Sequence, residues 1–386
     1  MDREIPPRAK GNDAACNVID QIRAVVHEGG AAYIAGVLVN KDGTPSVFHG
    51  GQCGLEFAAM GASELLKDDL KEILRRGIYP DIRPDSPANQ VMYDCTRRPL
   101  AWDVWAVLIQ AEMARVREDA PAPLRVGYWW GRQPEHALRT PWQRQCRDGL
   151  LKPFLPLLGA VEDPDVIGHA RDMVESVFST AYRPIVEAYR KGEQIPKVTV
   201  PEEARVAVKI ALQQYCGDQA PVTITLREAN HVGFRNSKLE EWLLFAGWLK
   251  AQGQKVIFVR DTAKAEQQLA GEMTMPDASK HLLVRAALYE QAKCNLFVSN
   301  GPAMLPVFMD CPWLMVNALT DERSDFTVNT TLGWEKSTGI PAGGQWPWAK
   351  PNQRIVWQED KFEHIRRAWE EHIDANAGHP GVGAVA

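Results

Sequence analysis

The stretch Thr223–Asp261, TITLREANHVGFRNSKLEEWLLFAGWLKAQGQKVIFVRD, decides the fold class. It opens on β-branched and apolar residues, continues from Ser237 to Ala251 with apolar residues at helical spacing, and closes on a second apolar run, KVIFV. That order reads as strand, helix, strand. Strands joined through a helix run parallel, and ligands of open parallel sheets bind outside the carboxyl ends of the strands. Arg227 stands at the first strand tip, Arg235 in the loop, and Arg260 with Asp261 at the second tip. Guanidinium groups there suit bidentate contact with phosphate oxygens, so an anionic ligand is expected.

The same alternation continues in both directions. Downstream it predicts helix 280–292, strand 295–299, a helix starting near Ala303 and strand 313–317; upstream it predicts helix 202–215. These make a Rossmann-like nucleotide-binding domain over residues 202–357. A first α/β domain, 14–191, is expected from strand Gln90–Asp94, a long helix from Trp102 to Arg117 and strand 124–130. Gly192–Pro201, rich in breakers, reads as the linker, and a last helix within 358–377 is expected to pack back toward the first domain. Residues 1–13 and 378–386 are expected to be disordered. The predicted fold is α/β, with two Rossmann-like doubly wound domains facing a cleft.

Composition narrows the function classes. With 386 residues, 45% hydrophobic and 24% charged, the chain can bury a large core and exceeds one ordinary domain. A net charge of -5 argues against a nucleic-acid surface. No apolar run reaches the ~20 residues of a membrane span, and MDREIPPRAKGND lacks a signal-peptide core. Seven scattered cysteines without a CxxC pair fit reduced thiols, hence a cytoplasmic protein. No histidine motif has metal spacing. Asp163-Pro164-Asp165 reads as a loop and cap ahead of the helical run VIGHARDMVESVF rather than as a metal-holding pair. No metal and no cofactor are expected.

The candidate site gathers at strand tips. Ser299-Asn300-Gly301-Pro302 follows a strand and precedes a helix, so it reads as an anion cradle at a helix N-terminus or as a plain cap and turn. Arg227 and Arg235 read as phosphate ligands, or as an ion-pair partner and part of a helix cap; Asn236 lies beside Arg235. Asp261 and Asn317 lie at neighbouring strand tips, where Asp261 could accept from a ligand hydroxyl. Glu228, Asp94 and Asp261 are the carboxylates placed to act as a base, Glu228 and Asp94 foremost. Arg132, Arg139, Arg144 and Arg147 around Trp142 read as a cleft lining or as a solvated face, and His49–Gly54 as a glycine cluster that lets backbone approach a ligand or as a plain loop. Upstream, AAYIAGVLVN and TPSVFHG read as two strands joined by the Gly-containing turn KDG, and Asn17–Val26 and Ala62–Arg76 have apolar residues at helical spacing. Trp346, in GGQWPW, reads as a stacking platform or as a plug at a domain interface.

YDCTRRPLAWDVWAVLIQAEMARV, ITLREANHVGFRNSKLEEW with GQKVIFVRD, and FVSNGPAMLPVFMDCPWLMVN together resemble a family of bacterial glycosyltransferases with a GT-B-type arrangement, distantly similar to fucosyltransferases. The resemblance implies a donor bound to the C-terminal domain and an acceptor to the N-terminal one. It implies that Arg227 and Arg235 hold the donor diphosphate, with Ser299–Gly301 beside it. Partners would be a nucleotide-sugar and a glycan or small-molecule acceptor; a homodimer is compatible. The chain departs from the fucosyltransferase pattern at Thr225, where a histidine precedes the strand-end arginine by two residues. A non-catalytic nucleotide-binding protein and a nucleotide-sugar epimerase are the alternative readings of the same architecture.

Overall fold

The computed structural model describes residues 33–39, 45–51, 87–94, 102, 104–129, 148–149, 152–163, 172–174, 182–230, 233–316 and 331–377. The chain forms two compact units, Met1–Asp81 and Ile82–Ala386. In the first, β1 (Tyr33–Val39) and β2 (Pro45–Gly51) pair antiparallel, Tyr33 opposite Gly51 and Val39 opposite Pro45. This is the hairpin that the Gly-containing turn KDG predicts.

The second unit contains two parallel sheets. One is built from β3 (Gln90–Asp94), β4 (Arg125–Trp129), β5 (Val161–Glu162) and β6 (Asp172–Val174), in the order β5-β4-β3-β6. Helix α1 (Val104–Arg117) follows β3, and α2 (Lys152–Leu157) precedes β5. The strand β6 falls inside VIGHARDMVESVF, which the sequence assigns to a helix. Parallel pairing of Asp172–Val174 with Val91–Tyr93 overrides the local periodicity there. Asp163 accepts a hydrogen bond from Arg125 Nε at 2.6 Å, and the rest of the Asp163-Pro164-Asp165 triplet lies outside the described residues.

Helices α3 (Arg183–Arg190) and α4 (Glu202–Cys216) lead to the second sheet. Its strands are β7 (Val222–Thr225), β8 (Val256–Val259), β9 (Cys294–Val298), β10 (Trp313–Val316) and β11 (Gln353–Val356), in the order β11-β10-β9-β7-β8. Helix α5 (Leu239–Ala251) connects β7 to β8, while α6 (Pro276–Lys280) and α7 (Leu282–Gln291) connect β8 to β9. The one-turn α8 (Met304–Val307) follows β9, α9 (Thr331–Thr338) precedes β11, and α10 (Phe362–Ala377) ends the described chain.

Strand alternation sorts this sheet into two faces. Val222, Ile224, Val256, Phe258, Leu296, Val298, Leu314 and Val316 pack with Trp242, Phe245, Ile365 and Trp369 of α5 and α10. Ile257, Val259, Phe297, Trp313 and Met315 face the other way, into a core shared with α7 and with Trp105, Leu108 and Phe154 of the first sheet's helices. Both faces are covered, as a parallel sheet requires. Two polar pairs are enclosed on the second face: Thr223 Oγ1 donates to Asn295 Oδ1 at 2.6 Å, and the hydroxyls of Thr225 and Tyr289 lie 2.7 Å apart.

Gly192–Pro201, the expected linker, lies in the chain between the two sheets and packs against both halves: Val198 and Val200 are buried, Thr199 N donates to Leu157 O at 2.8 Å, and Val198 N donates to Phe308 O at 3.4 Å. One expectation is corrected: among the described residues the last helix packs on α5 and β10 rather than on the first sheet. The fully buried Asp360 carboxylate accepts from Lys238 N at 2.8 Å and from Trp242 Nε1 at 3.0 Å, and Glu241 Oε2 accepts from Phe362 N at 2.8 Å. Each of α5 and α10 thus has a free N-terminal amide region satisfied by a carboxylate from the other segment. The termini at 1–13 and 378–386, the helices expected near 17–26 and 62–76, Gln52–Gly54 and the arginines around Trp142 lie outside the described residues.

Replacing Asp360 with alanine leaves a buried indole N–H and the Lys238 amide without their acceptor. The expected cost is about 3 kcal/mol, read as a lower urea midpoint; an unchanged midpoint would show that α10 is held by its apolar face alone. A second expectation concerns acid. Burial, with the charge of Arg354, pushes His372 down from 6.5 to about 4. Between those values the unfolded chain binds a proton that the folded chain refuses. Stability therefore falls as the pH drops from 6.5 to about 4, by on the order of 3 kcal/mol from this group. His372→Gln should flatten that part of the melting-temperature profile, and an equally steep variant profile would assign the loss elsewhere.

Candidate functional site

Strand order locates the site. Numbered within its own sheet, the second sheet runs 2-1-3-4-5, so the winding reverses between β7 and β9. Connections leave these two strands toward opposite faces, and the carboxyl ends open into a crevice where ligands of doubly wound sheets bind. The residues just beyond β7 are Leu226, Arg227 and Glu228; those just beyond β9 are Ser299, Asn300 and Gly301. The two clusters singled out from sequence therefore meet at one switch point. The first sheet, 3-2-1-4 in the same notation, reverses between β3 and β6, and Asp94 is the last residue of β3.

Arg227 is held in place by its own loop. Its backbone N donates to Ser237 Oγ and Ser237 N returns a bond to Arg227 O, both at 2.9 Å. Asn236 Oδ1 accepts from Arg227 Nη1 at 2.5 Å and from Ala229 N at 3.0 Å, while Asn236 Nδ2 donates to Ala229 O at 2.9 Å. Asn236, expected to contact the donor, is thus the latch that closes the 227–237 loop and aims Arg227. The residue Arg227 is 7% exposed. Burial lowers its pKa and the charge of Asp261 works against that, yet an arginine stays charged under these conditions. Arg235 Nη2 reaches Ser299 O at 3.5 Å and bridges the two sides of the switch point.

Glu228 is not the base that sequence suggested. Its carboxylate forms a two-pronged pair with Arg260, Nε to Oε2 at 2.9 Å and Nη2 to Oε1, with Lys264 Nζ at 3.4 Å. Burial pushes its pKa up, but Arg260 and Lys264 outweigh it and leave the group below the usual carboxylate range. A carboxylate so engaged is a poor proton acceptor. Arg260, at the same strand tip, is therefore a structural partner rather than a ligand cation. Asp261 is part-exposed and opens the turn Thr262–Lys264.

The β9 turn is tighter than an anion cradle at a helix N-terminus. Asn300 Oδ1 accepts from Ala303 N at 2.8 Å, and α8 is only 4 residues long. One turn of helix carries little of the macrodipole, so Asn300 reads as a cap. Gly301 is required by close approach: a Cβ there would fall inside the indole of Trp102, which comes from the carboxyl side of β3. Trp102 stands edge-on to Trp105, with ring centroids 4.6 Å apart. It is the contact through which the first sheet reaches the crevice, and sequence had marked it only as a helix start.

Trp346 serves the domain interface. It is 2% exposed and packs against Trp348, Trp334 and Tyr182 at centroid distances of 5.0, 5.7 and 5.9 Å. Asn317 and the side chain of Asp94 lie outside the described residues. Among the described residues no group of three or more His, Cys, Asp or Glu could hold a metal ion, and no helix is long and apolar enough to cross a membrane. Cys216, Cys294 and Cys311 are buried and unbridged, their thiol pKa values raised by burial.

No protein-family model matches the chain, and no curated protein is similar to it in sequence. Solved structures do resemble it in chain course. A glycosyl transferase family 9 protein from Veillonella parvula shares 9% identity, covering 74% of this chain and 97% of its own, with a TM-score of 0.44. The iron-containing dodecameric glycosyltransferase TibC from enterotoxigenic E. coli shares 13%, covering 76% and 80%, with a TM-score of 0.40. The E. coli heptosyltransferase WaaC with ADP shares 12%, covering 74% and 99%, with a TM-score of 0.38.

Gly301→Ala should force Trp102 off the β9 turn. Overpacking of this kind costs about 1–3 kcal/mol, and in a Trp102→Ala background the same Gly301→Ala change should cost little. An equal cost in both backgrounds would show that the turn itself, and not the indole, excludes a side chain. The chain that carries this site is an α/β protein with two Rossmann-like parallel sheets whose carboxyl ends meet at Trp102 and Gly301.

Proposed function

We propose that the protein is a glycosyltransferase that moves a sugar from a nucleotide-diphosphate donor to a hydroxyl acceptor without a metal ion. The observation that carries this reading is the switch point between β7 and β9. There Arg227 and Arg235 stand on one side and Ser299–Gly301 on the other, linked by the Arg235 bond to Ser299 O. Sugar transfer requires stabilisation of the charge that builds on a departing diphosphate. Preorganised guanidiniums in a partly desolvated crevice supply it, and Asn236 fixes the direction of one of them.

The arginines carry this role without help from a helix dipole, since α8 is one turn long. The acceptor belongs to the first sheet, which presents Asp94 at its own switch point and Trp102 against the β9 turn. With Glu228 committed to Arg260, this reading assigns the base to Asp94 and gives Asp261 the role of accepting from a donor hydroxyl. The position where fucosyltransferases carry histidine is committed to the core here, because Thr225 bonds Tyr289. The engagement of Glu228 also favours one competing reading, a nucleotide-sugar binding protein that performs no transfer.

Calorimetric titration of ADP and UDP into wild type, Arg227→Lys and Arg227→Ala tests the site. A planar fork that lysine cannot imitate predicts a ten- to hundredfold weaker affinity for Arg227→Lys, about 1.5–3 kcal/mol, with little change in melting temperature. Binding should persist in EDTA. Unchanged affinity beside a large fall in melting temperature would make Arg227 a structural residue. Loss of binding in EDTA with recovery on adding magnesium or manganese would replace the metal-free reading. Release of free nucleoside diphosphate from a donor only when an acceptor is present separates transfer from mere binding.

A further inference from the structure

Arg285 lies on α7 and is 3% exposed. Its Nε donates to Ala278 O at 2.7 Å and its Nη2 to Ser279 O at 3.2 Å, both carbonyls of α6. Its guanidinium stands 5.6 Å from the centroid of the Trp102 ring. Nη1 is buried and makes no hydrogen bond of ordinary geometry among the described residues, the Tyr289 hydroxyl being the polar group that faces the guanidinium, and the hydroxyl of Ser279, a residue 5% exposed, is without a partner. No carboxylate forms an ion pair with Arg285 among the described residues, whereas the equally buried Arg260 has Glu228.

A buried charge left without a counter-ion costs several kcal/mol, and buried polar atoms without partners are few in native folds. Two carbonyls and an indole face offset part of that cost. The remaining groups, an N–H and an O–H on adjoining residues, can both donate to one oxyanion. The cluster also adjoins the crevice from three sides. Trp102 covers Gly301 beyond β9. Thr262, next to Asp261 beyond β8, donates to Ser279 O at 3.0 Å. Tyr289, one turn from Arg285, bonds Thr225 at the end of β7.

We propose that Arg285 and Ser279, beneath Trp102, form a second oxyanion subsite that takes a phosphate or carboxylate group of the ligand entering at β7 and β9. It is separate from the Arg227 and Arg235 site, so the ligands of this crevice carry an anionic group besides the one those arginines hold. The subsite goes beyond the transfer reading and stands if that reading fails.

Calorimetric titration with inorganic phosphate and with glucuronate, and with neutral glucose as control, tests it in an Arg227→Gln background, where the first site has lost its phosphate ligand, with Arg285→Gln or Ser279→Ala added. At least one of the two anions should bind the Arg227→Gln protein, and which one binds identifies the group as phosphate or carboxylate. Adding Arg285→Gln should weaken that binding ten- to a hundredfold and adding Ser279→Ala roughly three- to tenfold. Ser279→Ala deletes one hydroxyl and keeps the test open if Arg285→Gln does not fold. The proposal is overturned if neither anion binds the Arg227→Gln protein, or if adding Ser279→Ala and Arg285→Gln leaves its binding unchanged. Because the first site is already removed, failure of nucleotide binding at Arg227 would leave these readouts unchanged.

Discussion

Everything at the candidate site depends on β7 being paired in parallel with both β8 and β9 while its two connections depart to opposite faces. Parallel pairing puts the three carboxyl ends on one edge, and the reversal opens that edge between β7 and β9. Hydrogen bonds within the sheet fix the register, with Thr223 opposite Asn295 and Thr225 opposite Phe297. A slip of one residue would turn Thr223 and Thr225 toward α5 and place Val222 and Ile224 against Asn295 and Tyr289. The buried Thr223–Asn295 bond stands against that slip, because breaking it would leave polar atoms unsatisfied in a fully enclosed layer.

The same edge shows how burial sorts its charges. Arg260 and Glu228 neutralise each other and close the space under the β7 loop, which removes both from chemistry. Arg227 is nearly as buried, and its bond to the neutral Asn236 fixes its direction. Three arginines near one strand edge thus differ in function through their acceptors, a carboxylate for Arg260, an amide for Arg227 and backbone carbonyls for Arg285. Sequence position alone cannot make that distinction.

The β7-α5-β8 unit was legible because its pattern is strong at every level: apolar strands, a helix of period 3.6 and cations at the tips. Strand and helix bounds there agree with expectation to within about two residues. The meeting of the β7 and β9 strand ends was legible in the same way, since it needs only parallel strands that are neighbours in the sheet. What failed were features set by distant partners. β6 is a strand because β3 offers it an edge. The last helix lies on α5 because Asp360 reaches Lys238 and Trp242, contacts 122 and 118 residues apart in the chain. Arg285 did leave a local trace: it occupies the buried face of LLVRAALYE together with Leu282 and Tyr289, where an apolar residue is the rule.

Trp102 joins these threads. It stands where the first sheet's carboxyl side meets the second's, with the Gly301 backbone against one part of its indole and the Arg285 guanidinium over its ring. A glycine accepted at that turn for lack of a side chain, and a buried cation accepted with an indole as its only described aromatic cover, are both consequences of the same ring position. Any ligand that displaces Trp102 to reach the β9 turn therefore also uncovers the Arg285 cluster, and any anion bound there changes what Trp102 rests on. The crevice and the buried cluster are consequently joined through one side chain from the other sheet.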